Sequence, residues 1–228
     1  MSESKIKVFL AGDSTVATNT LATYPQMGWG QRIEEFLGNK VEVWNFAVNG
    51  RSTKSFIDEG RLKQIELLIG KGDFLFIQFG HNDIKEPEDR HTDPFTTYTE
   101  NLIKYCNVAL KAGATPVLIN SMHRRKFDET GHIKNTHGEY PEAVRVLAAK
   151  LNVPMVDLTK MSKELYESYG DVESKSLFMW LKEGEYPIYP EGSQDDTHFN
   201  FMGAKVMAGL VADGLKALNN EEINKILK

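Results

Sequence analysis

The stretch VFLAGDSTVA, residues 8–17, sets a serine where a hydrophobic run stops. Val8 to Leu10 lead through Ala11 and Gly12 into Asp13, Ser14 and Thr15. A short apolar run closed by turn residues is the pattern of a buried strand. Two roles suit Ser14 at the tip of such a strand. Ser and Asp are preferred helix N-caps, and a serine at a strand end is also where a nucleophile can be presented to substrate. Partners elsewhere in the chain decide between them.

Four further runs have the same character: VEVWNFAV (41–48), DFLFIQFG (73–80), TPVLIN (115–120) and VPMVDL (153–158). Helical patterns lie between them. QRIEEFLG places Ile33, Phe36 and Leu37 on one face and stops at Gly38. TYTENLIKYCNVALKAG repeats Leu102, Ile103, Cys106 and Leu110, with Thr96 or Thr97 as cap and Gly113 beyond the end. YPEAVRVLAAKL does the same with Val144, Leu147, Ala148 and Leu151, and FMGAKVMAGLVADGLKAL lines up Met202, Val206, Leu210 and Leu218. Strands alternating with helices imply parallel strands joined by crossovers. Runs that are apolar throughout fit strands covered on both faces. The expected fold is therefore α/β, a three-layer α/β/α sandwich with a central parallel sheet of about five strands, spanning residues 1–228 as one domain.

Composition narrows the partners. A formal charge of −5 argues against a general nucleic-acid binder. One cysteine, Cys106, excludes an internal disulfide and sits on the apolar face of its helix. The first residues lack the apolar core of a signal peptide, and no stretch approaches the ~20 apolar residues of a membrane span. A cytoplasmic protein is expected, without membrane partner, as a monomer or small homo-oligomer.

In parallel sheets of this kind ligands bind beyond the carboxyl ends of the strands, and the polar residues collect there. Ser14 follows the first run, Asn49 and Gly50 the second, His81, Asn82 and Asp83 the third, and Ser121 to Arg125 the fourth. Acyl transfer needs a nucleophile, a base, a group that orients the base, and donors for an oxyanion. Three of the six histidines, His91, His132 and His198, have an acid three residues earlier (Glu88, Glu129 and Asp195). His91 and His132 lie in charged loops. His198, in SQDDTHFNFMGA, directly precedes an apolar helix that must dock on the sheet, with Asn200 as its cap. Gly50 can bring a backbone N–H close to a ligand, and Asn82 can donate from its side chain, although either also suits an ordinary turn. Other chemistries lack their signatures. No G-x-S-x-G elbow is present, GWGQRI lacks the third glycine of a dinucleotide fingerprint, and GKGD lacks the phosphate-loop spacing. His123, His132 and His137 match no metal-ligand spacing, so neither metal nor cofactor is expected.

Taken together, FLAGDSTV, NFAVNGRST, FIQFGHND and DDTHFNFMGA resemble the four sequence blocks of the SGNH hydrolase superfamily, in order. INSMHRRKFDETGHIKNTHGEYPEAVRVLA and GEYPIYPEGSQDDTHF further resemble the rhamnogalacturonan acetylesterase family of carbohydrate esterases. The resemblance runs from about Ile6 to Leu218. It implies a flavodoxin-like SGNH fold with Ser14 as nucleophile, His198 as base and Asp195 as the orienting acid, Asp196 being its neighbour. It also implies an oxyanion hole formed by Ser14 and Gly50 N–H groups and the Asn82 amide. The implied activity is removal of O-acetyl groups from pectic oligosaccharides by way of an acetyl-enzyme. Galacturonate carboxylates in such a substrate would suit the forks of Arg51, Arg124 or Arg125, which equally suit surface ion pairs or struts between loops. His81 is a candidate for lining the cleft or for holding the loop that bears Asn82, and Tyr186 and Tyr189 for stacking on sugar rings or for rigidifying a proline-rich loop. The alternatives are a lipase or thioesterase of the same superfamily, told apart by acyl-chain preference, and a carbohydrate-binding protein with an idle site.

Overall fold

A computed structural model of the chain describes residues 5–86 and 88–228. Five parallel strands form the central sheet: β1 (Ile6–Gly12), β3 (Val41–Asn45), β4 (Phe74–Gln78), β5 (Thr115–Ile119) and β6 (Met155–Val156), in the spatial order β3-β1-β4-β5-β6. A second, antiparallel sheet has the order β2-β8-β7, from Gln26–Met27, Ser193–Asn200 and Phe178–Leu181.

Alternation along the parallel strands feeds two cores. Val8, Leu10, Phe74, Phe76, Val117 and Ile119 face one side, with residues of α5 (Leu158–Glu173), α6 (Phe201–Ala217) and α7 (Glu221–Asn224). Phe9, Ala11, Leu75, Ile77 and Leu118 face the other, against α1 (Thr53–Asp58), α2 (Arg61–Leu68), α3 (Thr99–Ala112) and α4 (Tyr140–Leu151). The α/β/α sandwich is thus present, and the apolar runs are apolar because both faces are covered. Among the described residues no helix is long and apolar enough to cross a membrane.

Several local expectations need correction. QRIEEFLG forms no α-helix but two short 3₁₀ turns, Trp29–Gln31 and Ile33–Phe36. Gly28 and Gly30 hold this segment against Val16 and Ala17, where a Cβ on either would stand within 2.5 Å of backbone. Thr96 and Thr97 lie inside a π-helical turn, Pro94–Tyr98, and cap nothing. The inward faces of α3 and α6 are rotated from those expected. Leu110 and Met202 are about half exposed, while Tyr105 and Ala109, and Met207, Ala208, Val211 and Ala212, are buried. Small residues beneath α6 let it lie close on the sheet, so alanines and not only the large side chains mark its inner face. Gly113 ends α3 in the left-handed region at φ 74°, and Asn200 accepts from the N–H groups of Met202 and Gly203 at the start of α6, both as read from the sequence.

Candidate active site

Register places Gly12 beside Gln78, so the turns after β1 and β4 open on the same rim. Ser14 lies in the turn after β1 and caps no helix. A buried polar ladder holds that turn. Trp29 Nε1 donates to Gln78 Oε1 at 2.7 Å, Gln78 Nε2 to Thr15 Oγ1 at 2.6 Å, and Thr15 Oγ1 to Asp13 Oδ1 at 2.8 Å. Asp13 Oδ1 also accepts the Thr15 N–H at 2.9 Å. Burial pushes the Asp13 carboxyl above its ordinary value despite these donors. Sequence reasoning missed this ladder. Its one visible signal was Gln78, a polar residue closing the otherwise apolar strand FLFIQ.

His198 and Asp195 stand on β8, a strand absent from the five that the apolar runs predict. His198 Nε2 is 3.0 Å from Ser14 Oγ, and His198 Nδ1 is 2.6 Å from Asp195 Oδ2. Asp195 Oδ1 accepts the N–H groups of Thr197 at 2.7 Å and His198 at 3.0 Å. Burial disfavours the Asp195 charge, but the His198 ring and these two N–H groups outweigh it and hold the carboxyl below its ordinary value. With Nδ1–H committed to Asp195, Nε2 is left as the lone-pair acceptor for the serine hydroxyl. Ser14 is 7 % exposed, while the His198 and Asp195 side chains are about a third exposed. The serine is therefore approached over an open rim.

Gly50 adopts φ +80°, a left-handed conformation that favours glycine. No acceptor in the chain takes the backbone N–H of Ser14 or Gly50 among the described residues. Asn82, 2 % exposed, gives one amide hydrogen to Arg51 O at 3.1 Å and keeps the other. Asp83 binds this loop to the start of α1, accepting from Thr53 N at 3.0 Å and Thr53 Oγ1 at 2.5 Å. Burial pushes its carboxyl up to about 7.

The remaining candidates are engaged within the chain. Arg51 donates to Glu59 at 2.9 Å and to Asn49 O at 2.8 Å. Arg124 reaches Thr136 O at 2.9 Å and His81 O at 3.2 Å, bracing the loop that bears Asn82. Arg125, 4 % exposed, donates to Asp196 Oδ1 at 2.8 Å and pairs with Asp171. Asp196 also accepts from Trp180 Nε1 at 2.8 Å and Lys126 Nζ at 2.6 Å. The three guanidinium groups thus meet protein partners, as ion pairs and loop struts do. His81 is 3 % exposed, its Nδ1 lies 3.0 Å from His137 Nε2, and its enclosed Nε2 has no partner among the described residues. Burial, then the charge of neighbouring groups, holds it well below the ordinary histidine value, hence neutral. Tyr186 meets the Tyr24 ring edge-on at 5.7 Å, and Tyr189 Oη donates to Thr23 O at 3.2 Å, so both join neighbouring turns. His91 and His132 are exposed and lie away from Ser14's hydrogen bonds.

A parallel sheet carrying an acid–histidine–serine chain at its rim defines a class, and sequence similarity places the chain in it. It belongs to the GDSL-like lipase/acylhydrolase family, whose model matches residues 8–211, and it is an esterase. Among individual relatives, it is 47% identical to the rhamnogalacturonan acetylesterase RhgT of Bacillus subtilis, over 96% of this chain and 93% of that protein. It is 39% identical to the probable rhamnogalacturonan acetylesterase YesY of the same organism, over 97% of each. Two solved structures share the fold. The protein YxiM of B. subtilis superposes with a TM-score of 0.82 at 24% identity, over 96% of this chain and 58% of that one. An acetylxylan esterase from Geobacillus stearothermophilus gives 0.63 at 14% identity, over 96% of each chain.

Proposed function

We propose that this esterase removes O-acetyl groups from rhamnogalacturonan or related pectic oligosaccharides. One observation carries the mechanism: Ser14 Oγ lies 3.0 Å from a histidine whose other nitrogen is held by a carboxylate. His198 Nε2 takes the Ser14 proton as Oγ forms a bond to the acetyl carbonyl carbon. The carbonyl oxygen gains the electron pair and faces the free N–H groups of Ser14 and Gly50 and the spare hydrogen of the Asn82 amide. Collapse breaks the bond to the sugar oxygen, which leaves with the proton from His198. Water, deprotonated by the same nitrogen, then attacks the acetyl-Ser14 ester and frees acetate. Asp195 fixes the tautomer and stabilises the transient imidazolium. The two relatives named as rhamnogalacturonan acetylesterases support the substrate, and the open rim supports access by an ester borne on a sugar.

Acetate release from acetylated rhamnogalacturonan oligosaccharides tests this directly. The wild type should release acetate and Ser14→Ala should not. No release by the wild type would sink the pectic assignment, and turnover of longer acyl esters instead would identify a lipase or thioesterase.

A further inference from the structure

Arg90 differs from the arginines described so far. Its Nη1 stands 3.9 Å from the point that a Cβ on Gly50 would occupy, at the edge of the free N–H groups. Its side chain is about a third exposed, and its ion pair is a loose one, 3.8 Å to the largely exposed Asp89. Among the described residues no carboxylate pairs with Lys85, on the same loop. Lys85 rises from the loop that carries the Asn82 amide, its backbone N–H donating to Asn82 O at 3.1 Å. Partial burial, then the charges of Arg90 and Arg124, press its ammonium below the ordinary value against the opposing pull of Asp13. The acids beside them in sequence, Glu86, Glu88 and Asp89, are exposed, and the Glu88 carbonyl is tied back to Lys54 Nζ at 2.6 Å.

In a chain of net charge −5, Arg90 thus stands beside Gly50 and Lys85 on the Asn82 loop, the first with a loose ion pair and the second with no carboxylate partner among the described residues. Like charges held together raise the energy of the free protein, and an anionic ligand relieves them. A hydroxyl offers no such compensation. Arginine forms two parallel hydrogen bonds to a carboxylate, and a lysine adds a point charge.

We propose that Arg90 and Lys85 form an anion subsite beside the reacting ester, which takes the carboxylate of a uronate residue in the substrate. This rests on the reading of Ser14 as the esterase nucleophile and deepens its substrate side. The subsite lies on the Gly50 side of the serine, so the charged sugar is held next to the residue bearing the acetyl group or is that residue itself. Arg124, braced against His81 O, contributes field rather than contact.

Calorimetric titration of the intact protein tests the subsite without relying on turnover. The probes are a galacturonate trimer, its carboxyl-reduced neutral counterpart, and inorganic phosphate. The acidic trimer should bind at least about tenfold more tightly than the neutral one, and added salt should weaken it. Arg90→Gln should erase most of that preference and Lys85→Gln part of it. Because the Lys85 side chain is exposed, its variant provides the test if Arg90→Gln does not fold. Equal binding of the two trimers would overturn the proposal, as would phosphate binding as tightly as the acidic trimer, or an unchanged preference in folded variants. The enzyme reading fails by a different result, the absence of acetate release, so the two failures are distinguishable.

Discussion

The Asn82 amide carries two hydrogens, and Arg51 O takes one of them at 3.1 Å. That bond turns the other hydrogen in a fixed direction, and a fixed donor costs no reorganisation when charge develops on the ester oxygen. Asn82→Ala should therefore lower kcat by roughly 10²–10³ with little change in KM, because the donor acts on the oxyanion more than on the neutral ester. Steady-state kinetics on an acetylated oligosaccharide measures the split, and near-normal turnover would remove Asn82 from the mechanism. At this scale much of the site was legible. Ser14, Gly50, Asn82, Asp195 and His198 were found because each follows an apolar run or precedes an apolar helix. The proposed role of Arg90 is not legible there, since nothing in EPEDRHTD reveals that its guanidinium stands near Gly50. For Arg51, Arg124 and Arg125 the sequence leaves substrate and strut roles open; Arg51 is held by the nearby Glu59 and Asn49, and Arg124 and Arg125 by groups distant in sequence that no local pattern reveals.

Elements stabilised by burial announced themselves, and elements stabilised otherwise did not. The five parallel strands read correctly because their side chains face two cores. The strand SQDDTHFN has a single buried residue, Phe199, and no apolar alternation. Its order comes from the ladder to β7 and from Asp196, which Arg125, Lys126 and Trp180 grip on the face opposite Asp195. GWG was set aside as an incomplete nucleotide motif, yet its glycines exist to let backbone meet backbone. A Cβ on Gly28 would stand 2.4 Å from the Val16 carbonyl carbon and 2.5 Å from Ala17 N and O, two to three residues after Ser14. Backbone cannot rotate away as a side chain can, so Gly28→Ala must displace the serine turn. It should cost about 1–3 kcal/mol of stability, in the range of overpacked cores, and lower kcat together with it. Urea unfolding and acetate release measured on the same preparation check this. A variant with wild-type midpoint and turnover would show that the two segments are free to separate.

Across the whole molecule, buried ionisable groups set opposing responses to pH. His81, His137 and His123 are held neutral by burial, His123 down to about 4. Between pH 4 and the ordinary histidine value the unfolded chain binds protons at these sites that the folded protein refuses, so stability rises with pH. Asp83 works in the opposite sense. It accepts from Thr53 and Thr92, its own carbonyl accepts from Thr92 N–H and Tyr140 Oη, and its enclosed Oδ2 has no partner among the described residues. It thus ties α1, the loop after β4 and α4 into one body. With its folded value near 7 against an ordinary 3.8, the folded protein keeps a proton that the unfolded chain has lost throughout that window. This contribution to stability falls as pH rises from about 4 and levels off above 7. Asn in its place keeps the acceptor and carries a donor where the proton sits, without titrating. Asp83→Asn should therefore gain on the wild type as pH rises, by up to about 1.4 kcal/mol per pH unit between 4 and 7, or about 4 kcal/mol in total. The histidines act equally in both proteins and cancel in the difference, which reports Asp83 together with its electrostatic coupling to the buried Asp13. Asp195, Asp196 and Asp157, all held below the ordinary carboxylate value, act only toward the acid end of the window. Urea midpoints for both proteins at half-unit steps from pH 4 to 8 measure the difference curve. A curve that is flat across the window would mean that Asp83 is ionised in the folded protein despite its burial.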